Sequence, residues 1–260
     1  MPNPKLTYAQ HCQFLKDAKI KTYLELGLKY GITNTTSIQN WKNRKPNKNR
    51  WMGDLNLKHY FFTRLSEKSV YWMGFIAGDG CINLKDKGIK ITLQIKDEQH
   101  LDKFIKNVTT ANKKYYYGRR WVGTYWNNPA VEIRVYSKQM IEDLKKYGIG
   151  PKKSFTLKFP KLPKKYIRHF IRGIFDADGC ITKSKNQPSI SIVGTYNILN
   201  TIKKELNWKN KISWDRSIRQ ISKQGRNVIR EFYNYLYKDA TIYLDRKKQR
   251  FEELLNDKIN

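Results

Sequence analysis

The sequence predicts an α+β fold of two pseudo-symmetric αββαββα repeats with antiparallel sheets, preceded by a small helical region. Three observations predict it. YWMGFIAGDGCI (Tyr71 to Ile82) and HFIRGIFDADGCI (His169 to Ile181) are near-copies, each an apolar helix-like stretch ending in Asp-Gly-Cys-Ile. Downstream of each copy, strand-like and helix-like segments alternate in the same order. Residues 1–65 stand outside this repeat and carry a helical pattern of their own. The expected domains are therefore 1–65, 66–162 and 163–260.

In the first region, TYLELGLKYGITNTTSIQNWKN (Thr22 to Asn43) reads as a helix to Tyr30, a turn at Gly31 and a second helix through Ile38 and Trp41. This is a helix-turn-helix pattern, with Thr35, Thr36 and Gln39 expected to touch DNA. The competing interpretation is a helical hairpin that only packs on the main body. KNRKPNKNR (Lys42 to Arg50), with Pro46, comes next as a basic linker expected to lie along phosphates.

In the first repeat, GIKITLQI puts Ile89, Ile91, Leu93 and Ile95 against Lys90, Thr92, Gln94 and Lys96, a period-two strand with one basic face. DEQHLDKFIKNV has Leu101, Phe104, Ile105 and Val108 at helical spacing. KKYYYGRRWV and AVEIRVY predict a strand pair with its turn at Asn127-Asn128-Pro129. SKQMIEDLKKYG predicts a closing helix with Gly148 as its cap. In the second repeat come a strand PSISIV and a helix TYNILNTIKKEL. KISWDRSI is expected as one strand, Ile212, Trp214 and Ile218 opposing Lys211, Ser213, Asp215 and Ser217. GRNVIREFYNYLYKD and a segment from about Asp245 to Leu255 predict the final helices. Polar, basic strand faces suit a sheet laid on DNA, and the expected contacts are Lys90, Thr92, Lys96, Arg119, Arg134, Lys211, Ser213 and Arg219.

Composition narrows the function. Lys and Arg number 52 against 22 for Asp and Glu, a formal charge of +30. Such a protein repels itself unless an anion screens it, and nucleic acid gains further from counterion release. A ribosome-associated or membrane-surface basic protein is the plainer alternative. Aromatic content of 13% argues against a disordered tail. There is no apolar run of membrane-spanning length, and the opening residues lack the apolar core of a signal peptide. Cys12, Cys81 and Cys180 form no metal-ligand spacing and are expected as small buried hydrophobes in a reducing cytoplasmic or organellar compartment. The four histidines are scattered, giving neither a zinc site nor a Ser-His-Asp set.

The chemistry centres on Asp79 and Asp178. Gly74 and Gly78 in one copy, and Gly173 and Ala177 in the other, are small residues four apart that let two helix backbones approach. If the copies pack together, both aspartates arrive at the same end. An anion at a helix C-terminus opposes the helix dipole, and two nearby carboxylates repel. A hard divalent cation such as Mg²⁺ resolves both costs. One Asp-Gly alone would read as a turn; two copies in so basic a chain favour a site.

WMGFIAGDG (Trp72 to Gly80) and IRGIFDADG (Ile171 to Gly179) resemble the LAGLIDADG motif of homing endonucleases. The resemblance covers about residues 66–260. The second copy departs mainly at Arg172; the first has Ala77 where the motif has its earlier Asp. The resemblance implies a monomer with two sheets forming a saddle over double-stranded DNA, Mg²⁺ (with Mn²⁺ able to substitute) held by Asp79 and Asp178 beside the Gly78 and Ala177 carbonyls, and short 3′ overhangs after cutting. Lys153, Lys247 and Gln94 are the expected catalytic helpers; Lys152, Arg246 and Lys248 stay open as alternatives to the two lysines. Gln94 set against Ile192, and Ala77 against Asp176, predict an asymmetric centre and a long, non-palindromic target, as in intron homing. A non-cleaving DNA- or RNA-binding protein of the same fold, an intron maturase or a transcription regulator, is the alternative. A transposase would need a third carboxylate. An intein is disfavoured by the initial Met and the lack of a terminal His-Asn pair.

Overall fold

A computed structural model describes residues 8–43, 57–109, 113–122, 125–184, 187–215 and 218–256. The chain divides into two compact units, residues 1–56 and 57–260. The boundary falls ahead of the expected 65/66, because Leu57 and Phe62 are buried in the core of the larger unit. Among the described residues no helix is long and apolar enough to cross a membrane.

The smaller unit is three helices, α1 (Tyr8–Asp17), α2 (Tyr23–Tyr30) and α3 (Thr35–Asn43). The first was not anticipated. Phe14, Leu26, Ile32 and Ile38 make its core. Thr22 caps α2 in a capping box with Glu25, and Gly31 ends it in the left-handed conformation, N–H to Gly27 carbonyl. Thr35, Thr36 and Gln39 lie exposed on α3, and the Tyr23 hydroxyl donates to Gln39 Oε1. Beyond Asn43, the predicted basic linker lies outside the described residues.

The larger unit is built on two helices, α4 (Glu67–Asp79) and α7 (Lys164–Asp178). Each runs directly into a strand. The first repeat continues β1 (Gly80–Asn83), β2 (Gly88–Gln94), α5 (Glu98–Val108), β3 (Lys114–Tyr117), β4 (Arg120–Val122), β5 (Tyr125–Asn127), β6 (Ala130–Tyr136) and α6 (Lys138–Lys146). The second continues β7 (Gly179–Ser184), β8 (Gln187–Gly194), α8 (Tyr196–Glu205), β9 (Ser213–Asp215), β10 (Ile218–Gln224), α9 (Arg226–Tyr237) and α10 (Asp245–Asn256). The sheets are antiparallel in the orders β1-β2-β6-β3 and β7-β8-β10-β9, with β4 and β5 a separate hairpin.

Three local expectations are corrected. KISWDRSI is a hairpin rather than one strand: Asp215 faces Ile218 across β9 and β10, and Trp214 is 63% exposed; Ser217 lies outside the described residues. The strand pair after α5 does not turn at Asn127 to Pro129, because β4 and β5 interpose their own hairpin, with Val122 opposite Tyr125. Cys81 and Cys180 are exposed and Cys12 half-buried, since the first two alternate out of phase with the core residues Ile82 and Ile181.

α4 is buried on every side, from Ser69 to Ala77. The reason is the crossing with α7. A Cβ on Gly173 would lie 2.1 Å from the Tyr71 carbonyl oxygen, and one on Gly74 2.3 Å from that of Phe170. The backbones touch there, and only glycine allows it. We expect Gly173→Ala to cost at least about 3 kcal/mol in urea unfolding, at the upper end for overpacking. Gly118→Ala, where a Cβ meets nothing within 4 Å, should change stability little.

Candidate functional site

Both motif helices end on an aspartate and leave in extended conformation: Gly80 has φ −81° and Gly179 φ −84°. These glycines are therefore not left-handed turn residues. They are there for room, since a Cβ would sit 2.6 Å from the Ile76 carbonyl oxygen or 2.3 Å from the Phe175 ring. The helix-to-strand passage is tight, and it sets Asp79 and Asp178 at the shared end of the crossing. Asp178 rests against Gly78, where a Cβ would approach its Oδ2 to 2.8 Å. Gly78 thus makes space for the opposing carboxylate.

Asp79 is exposed to solvent at the helix end, yet protein also crowds around it. That crowding, and then the Asp178 charge, push its carboxyl up to about 6, against the pull of Lys247 and Lys153. Asp178 is likewise raised by burial, opposed by the same two lysines. Among the described residues no group of three or more His, Cys, Asp or Glu side chains gathers. The pair has hard oxygen donors in a repulsive arrangement, which fits a divalent cation bound by few protein ligands.

The two predicted lysines converge here. Lys153 lies in a 3-10 turn (Lys153–Phe155), is buried, and donates to the Gly80 carbonyl. Lys247, on α10 and also buried, donates to the carbonyls of Phe175 (2.7 Å), Gly179 (2.6 Å) and Ala177 (3.3 Å). Gly80 and Gly179 occupy matching places, so the lysines are repeat equivalents. Lys153 binds the carbonyl just past the end of α4 and Lys247 three carbonyls around the end of α7, where the helix dipole favours a cation, and burial lowers both from the ordinary lysine value. Lys152 is exposed. Arg246 forks onto Asp97 at 2.8 Å, and Lys248 lies 4.4 Å over the Tyr243 ring.

Asp176, the earlier motif acid, is not at the site. It is buried and accepts from Tyr71 (2.8 Å), Tyr237 (2.7 Å) and the Leu244 amide (2.7 Å), which anchors the approach to α10. Arg172, the motif's odd residue, is fully buried, pairs with Glu67 at 2.6 Å, and donates to the Leu236 and Ile242 carbonyls. The sequence flagged Arg172 as a departure without indicating this role.

Strand register corrects one correspondence. Gly80 faces Ile91 and Gly179 faces Ile192. Ile192 therefore matches Ile91, a core residue, and the counterpart of Gln94 is Thr195, the N-cap of α8. Gln94 itself is exposed at the end of β2.

The polar face of the first sheet brings together Lys90, Thr92 and Arg134 around Glu132, which sequence reasoning missed. Glu132 is 3% exposed and accepts from Thr92 (2.9 Å), Tyr117 (3.1 Å) and Arg134 Nε (2.6 Å), with Lys90 at 3.4 Å. Burial pushes its carboxyl up, but these partners outweigh burial and hold it below its ordinary value. One acid among the polar positions of a strand in so basic a chain was the available signal. Lys96 sits in a 3-10 turn after β2, and Arg119 is exposed beyond β3. In the second sheet Ser213 faces Gln220 on the polar side, while Lys211 is exposed just before β9. Arg219 has the opposite parity, shared with core Ile221, and lies 4.1 Å over the Trp214 ring.

The chain is similar to several known proteins. A family model described as a LAGLIDADG-like domain matches residues 165–197. The replication factor C small subunit of Methanocaldococcus jannaschii is 28% identical over 120 residues, 45% of this chain but 6% of that protein. The structure of the LAGLIDADG homing endonuclease I-GzeII in complex with its DNA target aligns with a TM-score of 0.50 and 11% identity, covering 74% of this chain and 89% of that one. The LAGLIDADG meganuclease I-AabMI bound to uncleaved DNA aligns at 0.47 and 13%, covering 74% and 91%. The likeness to I-GzeII is one of fold, and the mixed α/β architecture with paired motif helices is the LAGLIDADG meganuclease fold.

The raised Asp79 has a consequence for stability. Its folded value lies above the ordinary 3.8, so the folded state holds more protons between those values. Stability without metal therefore falls as pH rises through about 6. We expect Asp79→Asn to raise the melting temperature at pH 8 in EDTA, with the gain shrinking towards pH 4.

Proposed function

We propose that this chain, with its LAGLIDADG fold, is a site-specific endonuclease that hydrolyses phosphodiester bonds in double-stranded DNA. The observation that carries this reading is the meeting of Asp79 and Asp178 at the crossed helix ends with Lys153 and Lys247 buried against them. Two carboxylates alone would repel a phosphate. The two ammoniums offset their charge, so that a bound cation leaves the centre positive where an anionic diester must sit.

Asp79 and Asp178 would hold Mg²⁺, with Mn²⁺ able to replace it. Such an ion supplies a more acidic bound water and charge stabilisation at the phosphate. Lys153 and Lys247 fix the Gly80 and Gly179 carbonyls and thereby the direction in which each strand leaves its aspartate. Gly78, rather than donating only a carbonyl, gives Asp178 the room to reach the centre. Gln94, exposed at the end of β2, is placed to meet solvent or DNA in the first half alone.

The protein acts as a monomer on a long, non-palindromic site, because both repeats lie on one chain and their sheet faces differ, with the Glu132–Arg134 pair in one and the Gln220–Ser222 pair in the other. The N-terminal unit adds contacts through Thr35, Thr36 and Gln39 on the exposed face of α3.

Two experiments test this reading. Asp178→Asn should abolish double-strand cutting of a target recovered from a randomised duplex library with Mg²⁺, while binding in EDTA stays within a few-fold. Cutting at the wild-type rate would refute the assignment, and a wild-type protein that binds but never cuts would make this a binding protein. Removing residues 1–56 should shorten the DNase footprint and leave the cut positions unchanged; a full-length footprint would refute the role given to α3.

A further inference from the structure

A buried acid on a face meant for DNA is unfavourable, since it repels phosphate and pays desolvation. Glu132 is such an acid, and its partners explain it. Arg134 Nε donates to Glu132 Oε1 at 2.6 Å and Nη2 donates to the Tyr117 hydroxyl at 3.2 Å. The Tyr115 ring supports the guanidinium from one face, 4.6 Å from its centroid. Arg134 is thereby fixed in position and plane while its side chain remains 39% exposed. A guanidinium has five N–H groups, so donors remain for a base edge.

The second sheet offers an internal comparison. Register equates Ile91 with Ile192 and Ile133 with Ile221, so Glu132 matches Gln220 and Arg134 matches Ser222. Gln220 Nε2 donates to Ser222 Oγ at 2.9 Å. The same two positions are thus bonded to each other in both halves, as a charged pair in one and a neutral pair in the other. Lys90, beside Arg134, likewise matches Ser191.

We propose that Glu132 is a specificity-determining positioning residue, which holds Arg134 as a rigid reader of a guanine in the half-site under the first sheet. This rests on the reading of the molecule as a DNA endonuclease. An arginine fork pairs with guanine O6 and N7, and a fixed fork loses less freedom on doing so. Arg134 lies across two strands from Cys81 in the register Cys81–Lys90–Arg134. At the spacing of adjacent strands that is about 10 Å, so the guanine sits near the cut rather than at the end of the site. The neutral Gln220–Ser222 pair has no fixed cation and imposes no guanine at the mirrored position.

The test uses a fluorescein-labelled pool of random-sequence duplexes, bound in EDTA by the full chain. Anisotropy gives affinity for the unselected pool, and sequencing of the bound fraction gives base preference at each position. Wild type should select a guanine at the inner position of one half-site and show no guanine preference at the mirrored position. Glu132→Gln should bind the unselected pool several-fold tighter, because a negative charge is gone, yet lose at least about tenfold of the guanine preference. The double variant Glu132→Gln/Arg134→Ser, which copies the pair of the second sheet, should lose the same preference and melt cooperatively. Retained guanine preference in Glu132→Gln overturns the proposal. So does loss of preference at all positions in both halves, which marks general damage. A wild type that selects no sequence refutes the DNA-recognition reading itself, and this inference falls with it.

Discussion

The whole larger unit depends on one close approach: α4 and α7 cross where Gly74 and Gly173 leave backbone against backbone. Helices normally pack about 8–10 Å apart with side chains between them. Here that layer is absent at the crossing, and the gain is positional rather than energetic. It brings two helix ends, two aspartates and two departing strands to one place. The buried flanks of both helices then serve as core for both sheets, so the site and the hydrophobic core share one origin.

Around that symmetric cross the halves have diverged, and the divergence is electrostatic. α4 offers Ala77 where α7 offers Asp176, and the acid anchors the approach to α10 through Tyr71, Tyr237 and the Leu244 amide. Glu67 of the first repeat meets Arg172 of the second, and Asp97 meets Arg246. These ion pairs cross between repeats and involve residues that are mostly buried on one side, where removing one partner is costly. Among the described residues they have no like-for-like mirror images, so each half is fitted to its own partner and not to a copy of itself. The sheet faces carry the same lesson, charged and aromatic around Glu132, hydroxyl and amide around Gln220.

Much of this was legible in the sequence. The duplicated motif pointed to the two aspartates and the small residues of the crossing, because close helix contact needs small side chains at fixed spacing. Lys153 and Lys247 were legible by their matching places in the repeat, and each reaches the carbonyl of the matching glycine. The features that stayed hidden depended on strand pairing. Gln94 was matched to Ile192 instead of Thr195, because a one-dimensional alignment cannot see which residue faces Gly179. Arg219 is expected among the DNA contacts, but the hairpin within KISWDRSI resets the parity and sets Arg219 opposite Trp214. Residue type alone places Cys81 and Cys180 inside, although strand alternation against buried Ile82 and Ile181 turns them out. Asp176 and Arg172 stand out in the motif, one as its earlier acid and the other as a departure from it, and only burial shows that they hold the frame.

The burial of α4 on every side also constrains how the chain comes to be folded. Its apolar surface is covered in part by its own sheet and in part by α7, which ends at Asp178. During synthesis, the first repeat emerges complete while its central helix still lacks the partner it is shaped for. Until the second motif has been made, a helix with glycines cut for a neighbour's backbone faces solvent or whatever else is near. The most intimate contact of the molecule is therefore among its last to form, and premature termination between the repeats leaves a sticky half rather than a working one.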